Sequence, residues 1–142
     1  MTTLTPEAKF TAFIDGAARG NPGPAGAGVW IASSPNGDTE EHYQALGTTT
    51  NNVAEYRALL LALARAEALG AQDVEIFSDS LLLVQQVNGA YKVKADHLKP
   101  LVAEAVRRAK GFRRFAIAHV RRERNRDADR LANLGADASE RA

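Results

Sequence analysis

Cysteine is absent from the 142 residues of this sequence. This absence excludes a disulfide framework, a thiolate metal site and a cysteine nucleophile. Apolar runs long enough to span a bilayer are also absent, and Met1 to Ala8 lacks the basic and apolar regions of a signal peptide. The sequence therefore predicts a cytoplasmic protein with no membrane partner, and we expect it to be a monomer.

The composition is that of an ordinary globular protein, with 45% hydrophobic and 25% charged residues. The length predicts one α/β domain over residues 1–142, with frayed ends at 1–8 and 137–142. Charge is uneven, because residues 1–91 hold four Lys or Arg against ten Asp or Glu, whereas residues 92–142 hold fourteen against seven. The basic half suits either a polyanionic partner or a solvated basic face, and the composition does not separate the two.

Hydrophobic periodicity and turn residues predict five strands and four helices. The strands are expected at Lys9–Asp15, Ala25–Ser33, Thr39–Gly47, Val74–Ser78 and Phe112–Arg121, and the helices at Val53–Leu69, Asp79–Val87, Leu98–Lys110 and Asn125–Ala136. The order β-β-β-α-β-α-α-β-α predicts a mixed five-stranded sheet, with three antiparallel and then two parallel strands and helices on both faces. In the first strand the apolar run of Phe10 to Ile14 predicts burial on both faces.

Four carboxylates stand at the ends of these elements, and each also has a structural interpretation. Asp15 closes the first strand, where an aspartate can instead form a turn. Glu55 follows Asn52 by three residues, which suits a capping box, and Asp79 stands where a helix N-cap is common. Asp129 lies in the first turns of the last helix, where acidic residues favour the helix dipole.

A right-handed crossover would lay the fourth strand parallel to the first and bring Asp15 and Asp79 to equivalent carboxyl ends. Glu55 can join them from the start of the crossover helix. Such a group suits Mg²⁺ or Mn²⁺, and two ions roughly 4 Å apart can drive hydrolysis of a phosphodiester. Helix periodicity does not decide between Asp127 and Asp129 as the fourth acid.

Four motifs in order resemble ribonuclease HI, a type 1 ribonuclease H family. They are F-x-D-G-A-A-x-G-N-P-G-P-x-G-x-G from Phe13, T-N-N-x-A-E from Thr50, S-D-S from Ser78, and H-V-R-R-E-x-N-x-x-A-D-x-L-A-N from His119. The resemblance runs from Phe10 to Leu134. It implies a ribonuclease H-like sheet and an endoribonuclease that cuts the RNA strand of RNA–DNA hybrids with two Mg²⁺ ions, or Mn²⁺ as a substitute.

The resemblance also assigns roles to individual residues. It implies metal ligation and catalysis by Asp15, Glu55, Asp79 and Asp129, the last chosen over Asp127 because Asn125 precedes it by four. It implies substrate contacts at Gly16, Asn21, Thr50, Asn51, Asn52, Ser80, Arg122 and Asn125. For Asn51 and Asn52, simple helix capping is the alternative.

His119 matches a family histidine that assists proton transfer or product release. A packed strand histidine is the alternative, and Arg122 or Glu123 could take the catalytic part instead. The basic helix and loop that some members insert as a substrate-gripping handle is missing here, since only Asn88–His97 separates the second and third helices. Tyr91 in that segment is expected to pack rather than to bind nucleic acid.

The resemblance implies products with 5′-phosphate and 3′-hydroxyl ends and little sequence preference. Two other functions remain possible from the sequence. One is a catalytically silent module that binds hybrids or RNA, which the four acids disfavour because carboxylates repel a phosphate backbone. The other is a nuclease acting on DNA junctions or on double-stranded RNA.

Overall fold

The computed structural model describes residues 9–142, so the fraying expected at residues 1–8 lies outside the described residues. Five strands form one sheet: β1 (Lys9–Ala18), β2 (Gly23–Ser33), β3 (Glu40–Thr49), β4 (Asp73–Ser78) and β5 (Arg114–His119). The four α-helices are α1 (Asn51–Ala68), α2 (Leu81–Val87), α3 (Lys99–Ala109) and α4 (Arg126–Arg141). Two 3₁₀ turns, Asp96–Leu98 and Arg122–Arg124, precede α3 and α4.

The strand order is β3-β2-β1-β4-β5. β1 pairs antiparallel with β2 and β2 antiparallel with β3, whereas β1–β4 and β4–β5 are parallel. This confirms the predicted mixed sheet. α1 provides the crossover between the antiparallel part of the sheet and β4, which makes β1 and β4 neighbours as predicted.

Helices cover the two faces of the sheet. α1 packs on β1 and β2 and also contacts α2 and α3, whereas α4 crosses β1, β2 and β3 on the opposite face. Most of the apolar core lies on the α1 side, where Phe10, Ala12 and Ile14 of β1 are at most 1% exposed. On the α4 side Phe13 is only half-buried, so burial on both faces of β1 was a wrong expectation.

Glycines allow helices to approach both faces of the sheet very closely, as Gly16 shows for α1 and Gly28 for α4. A Cβ on Gly16 would lie 2.3 Å from the backbone nitrogen of Glu55 in α1. A Cβ on Gly28 would lie 2.3 Å from the backbone nitrogen of Ala132 in α4. Neither distance is possible for a real Cβ contact, so at both places main chain packs directly on main chain.

The expected end of β1 at Asp15 was wrong. The parallel pairing with β4 ends at Ile14 opposite Ser78, but the antiparallel pairing with β2 continues to Ala18 opposite Ala25. β1 therefore runs on for three residues past Asp15. Asp15 and Asp79 still occupy matching positions, each one residue beyond the last parallel pair.

The predicted end of α4 at Ala136 was also wrong. The helix continues to Arg141, because the Ser139 hydroxyl donates to the carbonyl of Ala25 at 2.6 Å and accepts from the backbone of Leu46 and Gly47. These bonds anchor the last turns of α4 to the edge of β2 and β3. Among residues 9–142, no helix combines the length and hydropathy needed to cross a bilayer.

Candidate active site

A polar cleft of about 560 Å³ lies where the parallel strands β1 and β4 end. The first residues of α1, the start of α2 and the first turns of α4 complete its walls. It is lined by Asp15, Gly16, Ala17, Ala18, Arg19, Asn51, Glu55, Asp79, Ser80, Arg122, Asp129 and Asn133. All four predicted metal-binding acids are therefore brought to one cavity.

Three of these acids form a tight group. One carboxylate oxygen from each of Asp15, Glu55 and Asp79 lies within 4.8 Å of the others. Asp15 and Asp79 are there because β1 and β4 pair in parallel, and Glu55 is there because Gly16 lets the first turns of α1 approach β1. Asp15 and Glu55 are only 8% and 9% exposed, so the group is largely removed from water.

Asp129 joins the cleft from the first turns of α4, whereas Asp127 does not line it. Asp127 instead accepts a hydrogen bond from Arg130 on the exposed side of the helix. Asp129 is itself exposed, unlike Asp15 and Glu55. The geometry thus places Asp129 with the other acids and Asp127 at the surface.

Burial and crowding make two of the carboxylates, Asp15 and Glu55, hard to ionise. Burial, and then the charge of Asp79, the hydrogen bond with Asp129 and the charges of Asp129 and Glu55, raise the pKa of Asp15 to about 8. Burial also raises the pKa of Glu55 to about 7, with the hydrogen bond from Ser80 acting in the opposite direction. A divalent cation bound between them would favour their ionised forms.

The donor set fits a hard divalent cation. Every acidic ligand candidate in the cleft offers carboxylate oxygen, and the lining residues described above include neither histidine nor cysteine. Oxygen-only sets of this kind suit Mg²⁺ and Mn²⁺ rather than zinc.

The structural alternatives for Glu55 and Asp79 are wrong. Thr50 caps α1 by accepting from the backbone nitrogen of Val53, so Glu55 is not in a capping box. Ser80, not Asp79, caps α2 by accepting from the backbone nitrogen of Leu83, and α2 begins at Leu81. Neither Glu55 nor Asp79 therefore caps a helix.

Asn51 and Asn52 lie within the first turn of α1, so capping does not explain them either. The Asn51 side chain donates from Nδ2 to Oε1 of Glu55 at 3.2 Å and lines the acidic cleft. Asn52 is exposed and opens into a neighbouring groove of about 680 Å³, which is also lined by Leu82, Gln86, Ala90, Tyr91, Lys92, Lys94, Ala95 and Leu98. Tyr91 is 49% exposed there, which leaves about half of its surface open instead of packed as expected.

His119 stands at the end of β5, opposite Ser78 in the strand register. It is exposed, so a packed strand histidine was a wrong alternative, and it is not among the residues that line the cleft. Of its two competitors, Arg122 lines the cleft and Glu123 is exposed outside it.

The other predicted substrate-binding residues do not all lie in the cleft. Ser80 and Gly16 line the cleft, although the Gly16 N–H already donates to Oδ1 of Asp15 at 2.9 Å. Asn21 is exposed beyond the cleft and accepts from the backbone nitrogen of Asn51. Asn125 is not brought to the surface: it is 1% exposed and donates to the carbonyl of Ile14 at 2.9 Å, which ties the start of α4 to β1.

Sequence reasoning missed two polar side chains of the cleft, those of Arg19 and Asn133. Asn133 follows Asp129 by four residues, a spacing that places both on one helix face and could have indicated it. Arg19 has no comparable signal, because its position depends on the turn between β1 and β2 and on contacts with the far end of α4.

A family model described as reverse transcriptase-like matches residues 13–135. Among curated proteins, the chain is 47% identical over 127 residues to the bifunctional protein Rv2228c of Mycobacterium tuberculosis, covering 88% of this chain and 35% of the relative. It is 40% identical over 126 residues to ribonuclease HI of Halobacterium salinarum, covering 89% of this chain and 63% of the relative. The chain thus spans between about a third and two thirds of the length of these two relatives.

Solved structures agree with these matches. The N-terminal RNase H domain of the Mycobacterium tuberculosis protein superposes with a TM-score of 0.88 at 43% identity, covering 95% of this chain and 98% of that one. LC11-RNase H1, solved in complex with an RNA/DNA hybrid, superposes with a TM-score of 0.84 at 39% identity, covering 92% of this chain and 99% of that one.

Proposed function

The chain belongs to the type 1 ribonuclease H family, and on that premise we propose that it is a metal-dependent endoribonuclease that hydrolyses the RNA strand of RNA–DNA hybrids. The observation that carries this proposal is the convergence of Asp15, Glu55, Asp79 and Asp129 on one cleft. The relative solved with an RNA/DNA hybrid supports the substrate class.

Asp15, Glu55 and Asp79 would hold one divalent cation, and Asp15 with Asp129 would hold a second. When bound, two Mg²⁺ ions, or Mn²⁺ in their place, supply an activated water and stabilise the departing 3′-oxygen, so that the products carry 5′-phosphate and 3′-hydroxyl ends. The protein's part is to hold the carboxylates close together, so that bound cations can compensate their mutual repulsion.

Asn51 is suited to recognise ribose. Its Nδ2 is committed to Glu55, which leaves Oδ1 of the same amide to accept a hydrogen bond. A ribose 2′-hydroxyl is such a donor, and deoxyribose has none. An amide fixed beside the acids therefore favours RNA as the strand that is cut.

The two neighbouring asparagines open into different grooves, and a duplex has two strands. We assign the RNA strand to the acidic cleft at Asn51 and the paired DNA strand to the groove beyond Asn52. Lys92 and Lys94 supply charge for that strand's phosphates, and the exposed ring of Tyr91 offers a surface for its sugars or bases.

Arg122 is the better candidate than His119 for a direct contact with the cleaved strand, because it lines the cleft and His119 does not. His119 ends β5 opposite Ser78 of β4, and its proposed role is limited to assisting product release. Contacts to sugar and phosphate carry little sequence information, so cleavage should show little sequence preference. A cytoplasmic monomer is part of the same proposal.

The test uses one labelled 20-mer RNA, which is paired with DNA, paired with RNA or left single, each with Mg²⁺, Mn²⁺ or EDTA. The expected result is metal-dependent cleavage of the hybrid, lost in Asp129→Asn and retained in the matched control Asp127→Asn. Hybrid binding without cleavage would favour the silent binding module, and equal cleavage of the RNA duplex would overturn the proposed specificity.

A further inference from the structure

We propose that Arg19 and Asn133 are positioning residues that hold the Asp129 carboxylate in place over the cleft. The proposal deepens the function proposed above and rests on it, because it assumes that Asp129 is a metal ligand. It concerns two residues that do not belong to the acid set itself.

Asp129 is the most exposed of the four acids. Asp15 and Glu55 are buried, and each has a fixed donor in Gly16 N–H or Asn51 Nδ2. Asp129 stands on an exposed helical turn, where a short side chain exchanges freely between rotamers. Its side chain meets that of Asp15 across the cleft, and a further contact on its own helix would restrict its rotamers.

Asn133 supplies that contact. Its Nδ2 donates to the Asp129 carbonyl at 2.9 Å and lies 3.4 Å from the Asp129 carboxylate oxygen Oδ1. The amide can do this only if its nitrogen, and not its oxygen, points toward Asp129. The orientation of the Asn133 amide therefore decides whether Asp129 is held or repelled.

Arg19 fixes this orientation. Its Nη2 donates both to the Asn133 carbonyl and to the side-chain Oδ1 of Asn133, each at 3.3 Å. Since a guanidinium only donates, it must face the amide oxygen of Asn133, and the amide nitrogen is thereby left for Asp129. Arg19 thus acts on Asp129 through Asn133.

Two further acids hold Arg19 in this position. Its Nη1 lies 2.6 Å from a carboxylate oxygen of Asp137 and 3.1 Å from one of Glu140, both in the last turns of α4. These carboxylates compensate the charge of Arg19 and draw it toward the outer end of the helix. A cation beside the cleft is thereby kept from pairing with Asp129 in place of a metal ion.

Three variants test the proposal: Asn133→Ala, Arg19→Ala and the control Arg130→Ala. Asn133→Ala removes the amide without changing the charge of the cleft, which separates positioning from electrostatics. Arg130 lies on the same helix and pairs with Glu41 and Asp127 at the surface, outside the cleft. Arg130→Ala therefore measures the effect of breaking a surface ion pair of α4 without changing the cleft.

The first readout is Mn²⁺ binding to the free protein, measured by electron paramagnetic resonance and calorimetry. We expect Asn133→Ala and Arg19→Ala to weaken the lower-affinity Mn²⁺ site about tenfold, as is usual when a residue that orients a metal ligand is lost. The control should stay within about twofold of the wild type. Equal Mn²⁺ binding by Asn133→Ala and the wild type would overturn the proposal.

The second readout is hybrid cleavage. In both variants kcat should fall about tenfold at limiting Mn²⁺ with little change in KM, and it should recover at high Mn²⁺. A KM effect without recovery would mean that these residues bind substrate instead. If the wild type cleaves no hybrid, the proposed function fails, whereas the Mn²⁺ binding comparison still decides whether Arg19 and Asn133 position Asp129.

Discussion

Replacing Asp15 with asparagine should stabilise the metal-free protein while it removes metal binding. Asp15 is buried among Glu55, Asp79 and Asp129, and its pKa is raised to about 8 from an ordinary value of 3.8. Asparagine has nearly the same shape and no charge. Its side-chain oxygen can keep the hydrogen bond from Gly16 N–H.

The size of this stabilisation follows from the shift in the pKa of Asp15. Because the folded pKa is the higher one, the folded state binds a proton that the unfolded chain releases, and stability declines as pH rises from about 4 to about 8. A shift of about four units corresponds to about 6 kcal/mol at the upper end of this window. The cleft is open to water and ions on one side, so we expect roughly 2 to 4 kcal/mol for Asp15→Asn at pH 8 and about 1 kcal/mol at pH 5.

The assay is urea unfolding in EDTA at pH 5, 6.5 and 8, followed by circular dichroism, with Asp127→Asn as the control for loss of a surface carboxylate. Saturating Mg²⁺ should reverse the order of stability, since only the wild type gains free energy from binding the ion. A variant no more stable than the wild type at pH 8 in EDTA would refute the idea that these carboxylates repel one another.

Two further changes test other parts of the structure. Gly16→Ala should lower the free energy of unfolding by about 3 kcal/mol and weaken metal binding, because the new methyl group pushes α1 and Glu55 away from β1; normal Mn²⁺ binding would contradict this account. Glu40 accepts hydrogen bonds from Arg65 at 2.7 and 2.9 Å and from His42. These bonds lower the pKa of Glu40 to about 2. The contribution of Glu40 to stability is therefore present above about pH 4.5 and is lost as the pH falls toward 2. Glu40→Gln should therefore cost about 1 kcal/mol at pH 6 and nothing at pH 2 in thermal unfolding, and an equal loss at both pH values would show that the ion pair is not the cause.

The order of elements and the gathering of Asp15 and Asp79 could be predicted from the sequence. Both follow from local patterns, namely apolar runs that end in carboxylates, and from the handedness of the crossover through α1. Glu55 could be placed at the start of that helix but not brought to the cleft with certainty. Its approach depends on Gly16, whose role becomes visible only when the two backbones are in contact.

Helix ends and contacts between distant residues could not be predicted. Thr50 and Ser80 are the N-caps because their hydroxyls reach the backbone, and neighbouring Asn52 and Asp79 were equally good candidates in the sequence. The contact between Arg19 and Asn133 joins residues 114 positions apart. Such pairs depend on the docking of α4, which no local pattern encodes.

The close approach of α4 to β2 restricts which substitutions this family of sequences can accept during evolution. Gly28 pairs with Asp15 in the sheet, and Ala132, whose backbone rests on Gly28, lies one turn after Asp129. The gap between these two acids is therefore set by contact of main chain with main chain. Core side chains elsewhere can exchange volume and repack without altering that gap. A descendant sequence can thus rebuild most of its interior and inherit the spacing of its acids unchanged, provided that it keeps the glycines at this contact, which are Gly26, Gly28 and Gly135.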